Sequence, residues 1–148
     1  MKNEKIKIIN KSKNEIPSYK TVGSVGMDLR ANLETEHKIL NPQEIWLAPT
    51  GLFMSLPKGV EAQIRPRSGL AIKHGVTVLN TPGTIDSDYR GEIMVILINH
   101  GKKPLIINNS DRIAQMVFSK VELVEFDLVT TLDKTERSSG GFGHTGVK

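Results

Sequence analysis

An all-β single domain is the fold this sequence predicts. Three observations carry that expectation: short β-type runs recur between Gly, Pro and Asn punctuation, one run alternates strictly, and no window sustains a 3.6-residue apolar period of helical length. The runs cover residues 5–9, 44–48, 52–56, 60–65, 76–79, 93–98, 105–107, 113–118 and 121–126. Within 60–65, Val60, Ala62 and Ile64 alternate with Glu61, Gln63 and Arg65, as in a strand with one buried face. Between the runs lie Pro57-Lys58-Gly59, Pro82-Gly83, Asn99-His100-Gly101 and Asn108-Asn109-Ser110-Asp111, all residues that tolerate or preset turn dihedrals. Short strands at such spacing close into a barrel or stack as a sandwich. One short helix is expected from Ser68, whose hydroxyl is placed to cap the N–H groups ahead of Leu70, Ala71 and Ile72.

A chain of 148 residues fits one domain and leaves little room for a second. With 38% hydrophobic and 24% charged residues, it has the composition of a folded protein rather than a disordered one. No apolar run approaches the ~18 residues of a membrane helix, so no membrane partner is expected. Cysteine is absent, which removes disulfides and thiolate zinc sites together. Met1-Lys2-Asn3-Glu4-Lys5 carries charge with no apolar stretch behind it, so a cytoplasmic protein without a secretory signal is expected. Part of the net charge of +4 sits in Lys2, Lys5, Lys7, Lys11 and Lys13, but Glu4 and Glu15 interrupt the cluster and no aromatic residue is interleaved. That pattern reads as a solvated basic end rather than a nucleic-acid arm.

Two familiar phosphate motifs fail. Gly-x-x-x-x-Gly-Lys-Ser/Thr does not occur, and Gly141-Phe142-Gly143-His144-Thr145-Gly146 spells a dinucleotide fingerprint with no strand before it and no helix after it. His37, His74, His100 and His144 lack metal-ligand spacing.

Three segments remain, each with two readings. Pro66-Arg67-Ser68-Gly69 is either an ordinary strand-to-helix turn or an anion site of guanidinium, hydroxyl and free N–H groups. Thr84-Ile85-Asp86-Ser87-Asp88-Tyr89-Arg90-Gly91 is either an Asx-type turn or a catalytic loop. If extended, it sets Asp86 and Asp88 on one face, where one carboxylate acts as a general base on water. Gly23-Ser24-Val25-Gly26-Met27-Asp28-Leu29-Arg30-Ala31 places Asp28 between apolar residues, satisfied either by backbone N–H groups or by a ligand.

Beyond about residue 129 little is apolar except Leu132, Phe142 and Val147, while Gly140, Gly141, Gly143 and Gly146 crowd together. Residues 1–128 are therefore read as the β domain and 129–148 as a flexible tail that cannot bury enough surface to order itself. About 20 extended residues span on the order of 65 Å, enough to reach a second subunit.

In order and spacing, these segments resemble the five motifs of the trimeric dUTP pyrophosphatase (dUTPase) family. Val25-Gly26-Met27-Asp28-Leu29-Arg30-Ala31 is similar to the first motif, Pro66-Arg67-Ser68-Gly69-Leu70-Ala71 to the second, and Gly83 through Gly91 to the third. Asp111-Arg112-Ile113-Ala114-Gln115 resembles the fourth, and Arg137-Ser138-Ser139-Gly140-Gly141-Phe142-Gly143-His144-Thr145-Gly146 the fifth. Val25 stands where the family commonly has alanine, and Ser138 where glycine commonly follows the arginine.

The resemblance implies a β-barrel, jelly-roll-like fold and a homotrimer with shared active sites. It implies hydrolysis of dUTP to dUMP and pyrophosphate, with Asp86 deprotonating the water that attacks the α-phosphorus. Mg²⁺ would lie on the triphosphate, with Asp28 reaching it through water. Arg67, Ser68, Gly69, Gln115 and Arg137 would hold the phosphates. Uracil would be read by Asn80 and the backbone of Val78 and Leu79, with Thr84, Ile85 and Met94 as pocket wall. Tyr89 would exclude a 2′-hydroxyl, and Phe142, with Gly143 beside it, would stack on the base as the tail closes.

Overall fold

The computed structural model describes residues 5–141. In chain order the elements are β1 (Lys7–Asn10), β2 (Gly26–Arg30), β3 (His37–Leu40), β4 (Ile45–Ser55), β5 (Val60–Arg65), α1 (Ser68–His74), β6 (Val76–Val78), β7 (Gly83–Ile85), β8 (Glu92–Asn99), β9 (Leu105–Asn108) and β10 (Arg112–Lys120). One sheet runs β1-β4-β8-β6, a second runs β2-β10-β5-β7, and β3 pairs with β9 as a separate ribbon. Every pairing is antiparallel. The result is mostly β and jelly-roll-like. Among the described residues no pairing joins the two sheets into a closed barrel.

Alternation decides which side of each sheet is core. On β8, Ile93, Val95 and Leu97 are buried, while Met94 and Ile96 between them are only half-buried. On β5, Ala62 and Ile64 are buried as their alternation predicts. These residues join Leu29, Ala48, Leu52, Met54, Val76, Val78 and Met116 in one apolar cluster between the sheets.

The runs 44–48 and 52–56 are a single strand, β4. Pro49 and Gly51, with Gly51 at φ 71°, mark a shift of register against β8 rather than a chain reversal. The shift leaves the Thr50 and Gly51 N–H groups off the ladder, and the Glu92 carboxylate accepts both, at 3.1 and 2.7 Å. The run 121–126 is not a strand. Val121 donates a last hydrogen bond to the Gly59 carbonyl, and the chain then leaves the sheet with residues 122–139 exposed. Alternation alone cannot make a strand where no neighbouring backbone accepts the ladder.

The helix begins at Ser68, but its N-cap is Arg67 and no side chain caps it. Ser68 lies inside the first turn, so its hydroxyl is exposed rather than committed to capping. Gly75, at φ 69°, closes the C-terminus in the left-handed conformation, with its N–H on the Ala71 and Leu70 carbonyls.

Candidate active site

The second sheet gathers the first, second and fourth motifs at one end. Register sets Asp28 on β2 opposite Gln115 on β10, and Gln115 opposite Arg65, the last residue of β5. Two residues later Arg67 turns back: its Nε donates to one Asp28 oxygen at 2.8 Å, and Arg112 donates to the other at 3.1 Å. Arg67 also donates to the Arg112 carbonyl at 3.3 Å. The Asp28 side chain is 19% exposed, against 25% for Arg67 and 47% for Arg112. A carboxylate this shielded needs partners, and guanidiniums supply them in place of the backbone N–H groups a bland strand would offer. Two positive charges on one carboxylate leave a surplus beside exposed Ser68 and Gly69.

Gln115 is fixed from both sides. Its Nε2 donates to the Pro66 carbonyl at 3.0 Å. Its carboxamide lies across Gly26, where a Cβ would come within 3.3 Å of Cδ and nearer still to Oε1. Gly26 is therefore needed for close approach, and its φ is unremarkable.

The third motif lies elsewhere on the chain. From the row of Asp28, Asp86 is three strand steps across the sheet and four residues along it, roughly 20 Å away. The connection from β6 to β7 crosses from one sheet to the other through the cis Thr81–Pro82 bond. Asn80 folds its side chain over buried Gly83, with Nδ2 at 3.2 Å from where a Cβ would stand. The Leu79 N–H already serves the Ile96 carbonyl, and the Val78 carbonyl accepts from Thr81. The Asn80 N–H and the Leu79 carbonyl have no backbone partner among the described residues. Thr84 is exposed, Ile85 and Met94 are half-buried, and Met94 pairs with Pro49 on the first sheet.

Asp86 and Asp88 do not share a strand face, because β7 ends at Ile85. The chain turns instead, and the Tyr89 N–H closes the turn on the Asp86 carbonyl at 3.2 Å. Backbone, not a carboxylate, makes this turn. Both acids are exposed, and neither is in an ion pair among the described residues.

Among the described residues, no hydrogen bond or ion pair joins the tail to either group. Residues 121–139 are exposed, and Arg137 donates only to the Gly140 carbonyl at 2.8 Å, inside its own turn. Ser138 occupies φ 43°, a left-handed conformation glycine adopts freely. Its hydroxyl compensates with a 2.6 Å bond to the Thr135 carbonyl. Phe142 and Gly143 lie outside the described residues.

A family model described as dUTPase matches residues 12–146 of this chain. The chain belongs to the dUTPase family. It is 56% identical over 142 residues to the deoxyuridine 5'-triphosphate nucleotidohydrolase of Finegoldia magna, covering 96% of this chain and 99% of that protein. It is 53% identical over 146 residues to the protein of the same name from Fusobacterium nucleatum, covering 99% of each. Among solved structures it is similar to the dUTPase of Staphylococcus bacteriophage 80alpha, with a TM-score of 0.83, 22% identity, and 98% and 100% of the two chains covered. The dUTPase of phage phi11 of S. aureus superposes with a TM-score of 0.79 at 20% identity, over 88% of this chain and 100% of that one.

In this dUTPase-family chain, sequence reasoning assigned no role to Arg112, which the structure brings onto Asp28, or to Gly26 and Gly91, on which Gln115 and Tyr89 rest. Arg112 and Asp28 are 84 residues apart, and only strand register puts them together. The one local signal was Asp28 itself, a charge between apolar neighbours in a strand.

Proposed function

We propose that this protein hydrolyses dUTP to dUMP and pyrophosphate. The observation that carries the reading is the full-length relationship to the Finegoldia magna nucleotidohydrolase, together with all five motifs in order. Asp86 takes a proton from water as that oxygen bonds to the α-phosphorus, and the bond to the β-phosphate bridging oxygen breaks with pyrophosphate leaving. An exposed carboxylate that the turn does not use for its own closure is suited to this task. Arg67, Ser68, Gly69 and Gln115 supply donors to the phosphates, and Arg137 joins them from the tail. The Leu79 carbonyl and Asn80 N–H offer uracil one acceptor and one donor, with Thr84, Ile85 and Met94 as walls. Tyr89 lies against the deoxyribose, and Phe142 with Gly143 closes over the base.

One chain holds the phosphate donors and Asp86 on separated parts of its surface. A homotrimer resolves this by bringing the first, second and fourth motifs of one copy against the third of another. Residues 1–128 then form the body and 129–148 the lid.

Mg²⁺ fits this site as an ion carried on the substrate. Among the described residues no three His, Asp or Glu side chains are grouped to hold a metal, and both Asp28 oxygens accept from arginine. Mg²⁺ favours phosphate oxygens and retained waters over such cages, and Asp28 would meet it only through water. Its chemistry here is to offset triphosphate charge.

Pyrophosphate release from dUTP, dCTP, dTTP and UTP with Mg²⁺ tests the reading, with ammonia release from dCTP scored beside it. Turnover of dUTP alone is expected, and Asp86→Asn lowers it about 10²–10⁴-fold without changing Tm. Full activity in that variant refutes the base assignment, and ammonia from dCTP replaces hydrolysis with deamination.

A further inference from the structure

We propose that Gly91 is a specificity-positioning residue, which seats the Tyr89 ring by having no side chain of its own. The inference rests on the dUTP hydrolysis proposed above and concerns how that site rejects a ribonucleotide.

The Tyr89 phenol folds back along its own loop, and its hydroxyl donates to the Glu92 carbonyl at 2.9 Å. To reach it the ring crosses Gly91. A Cβ there would lie 2.5 Å from Cζ and 2.9 Å from Cε2, and would also run into Oη. Such distances do not occur between real atoms, so ring and side chain exclude each other. Gly91 is not at positive φ, so its backbone admits an L side chain and the obstacle is the phenol alone. The anchor beyond it is firm. Glu92 opens β8, pairs with Phe53, and accepts the two N–H groups of the β4 irregularity through its carboxylate.

Tyr89 is 43% exposed, so an added methyl does not jam a core. The ring swings outward, its hydroxyl leaves the Glu92 carbonyl, and the wall it forms against the sugar moves with it. The fold is spared and discrimination suffers. A merely structural glycine has the opposite signature.

The test is kcat/KM for dUTP and for UTP in wild type, Gly91→Ala, Tyr89→Ala and the double variant. In Gly91→Ala the dUTP-to-UTP ratio falls about tenfold with Tm nearly unchanged, the scale of a displaced wall in a pocket. In the Tyr89→Ala background the same substitution changes the ratio less than about twofold, because Gly91 acts only through the ring. An unchanged ratio in Gly91→Ala overturns the proposal, as does an equal fall with and without the ring. If Gly91→Ala is not recovered folded, Tyr89→Phe keeps the ring and removes its anchor. A ratio lowered about threefold then supports the seat, and an unchanged ratio overturns it. Wild-type protein that releases no pyrophosphate from dUTP refutes the hydrolase reading and this inference with it. Wild-type turnover with unaltered variant ratios refutes this inference alone.

Discussion

Replacing Asp28 by asparagine keeps the shape of the side chain and removes the charge that holds two guanidiniums. Arg67 and Arg112 donate to separate oxygens, at 2.8 and 3.1 Å, and asparagine offers only one acceptor. Its amide nitrogen therefore faces a guanidinium, donor against donor. The Arg67 contact, 25% and 19% exposed at its two ends, is a charge-assisted bond worth about 1.5–3 kcal/mol, nearer the lower figure where water still reaches it. The Arg112 end is 47% exposed, and screening reduces its share to about 0–1 kcal/mol. A bond from Arg67 to the now neutral amide oxygen survives at about 1 kcal/mol, so the net loss is about 1.5 kcal/mol. For a chain of this size that lowers Tm by about 3–6 °C. Thermal unfolding followed at one fixed protomer concentration measures it, since association would otherwise shift Tm by mass action. Arg67, no longer held, also loses aim at the phosphates, and kcat/KM for dUTP falls about tenfold. An unchanged Tm refutes the ion-pair account, and an unchanged kcat/KM refutes the role of Asp28 in orienting Arg67.

Deleting the chain after Leu132 removes Arg137 and Phe142, whose guanidinium and ring together are worth about 2–5 kcal/mol on a bound nucleotide. The truncated protein is expected to lose about hundredfold or more in kcat/KM and less than about 2 °C in Tm, because residues 133–139 bury nothing. An unchanged rate eliminates the lid. Glu44 is held below its ordinary value of 4.5 by the Lys38 ammonium first and by the Asn41 N–H second. A folded value below the unfolded one means that this contribution is complete above about pH 4.5 and fades as pH falls through the lowered value. In Glu44→Gln, urea unfolding between pH 3 and 6 should show a shallower acid slope. A slope equal to wild type indicates that the Lys38 contact adds nothing.

Legibility followed the range of the interaction. Alternation in β5 and β8 located their buried faces because the pleat is a local property. The helix from Ser68 was also local, although Arg67 rather than Ser68 is its N-cap. The strands β2, β3 and β7 were missed because their composition, more than their length, hides them: Asp28 and Arg30 interrupt the apolar residues of β2, His37 and Lys38 fill half of β3, and β7 is a three-residue strand that opens on Gly83. Segment 121–126 failed in the other direction: its residues suit a strand, but among the described residues no strand pairs with it. Pro49 and Gly51 look like a reversal in sequence and form an irregularity within one strand, because β8 continues on both sides of them.

The sequence by itself determined an all-β chain, its five ordered motifs, and hence its family. Side-chain chemistry and spacing along the chain suffice for those. Only the tertiary structure decided that Asp28 is clamped by two arginines, that the turn after Asp86 closes through backbone, and that Tyr89 lies across Gly91. It alone also decided that Arg67, Ser68, Gly69 and Gln115 lie on a separate part of the chain from Asp86. The Asp28 clamp and the separation of the motifs depend on which strand lies beside which, and in what register, and in an antiparallel sheet that is fixed by contacts between residues far apart in sequence. The Asp86 turn and the Tyr89 seat are contacts of two or three residues, whose backbone path is set by where β7 ends and β8 begins.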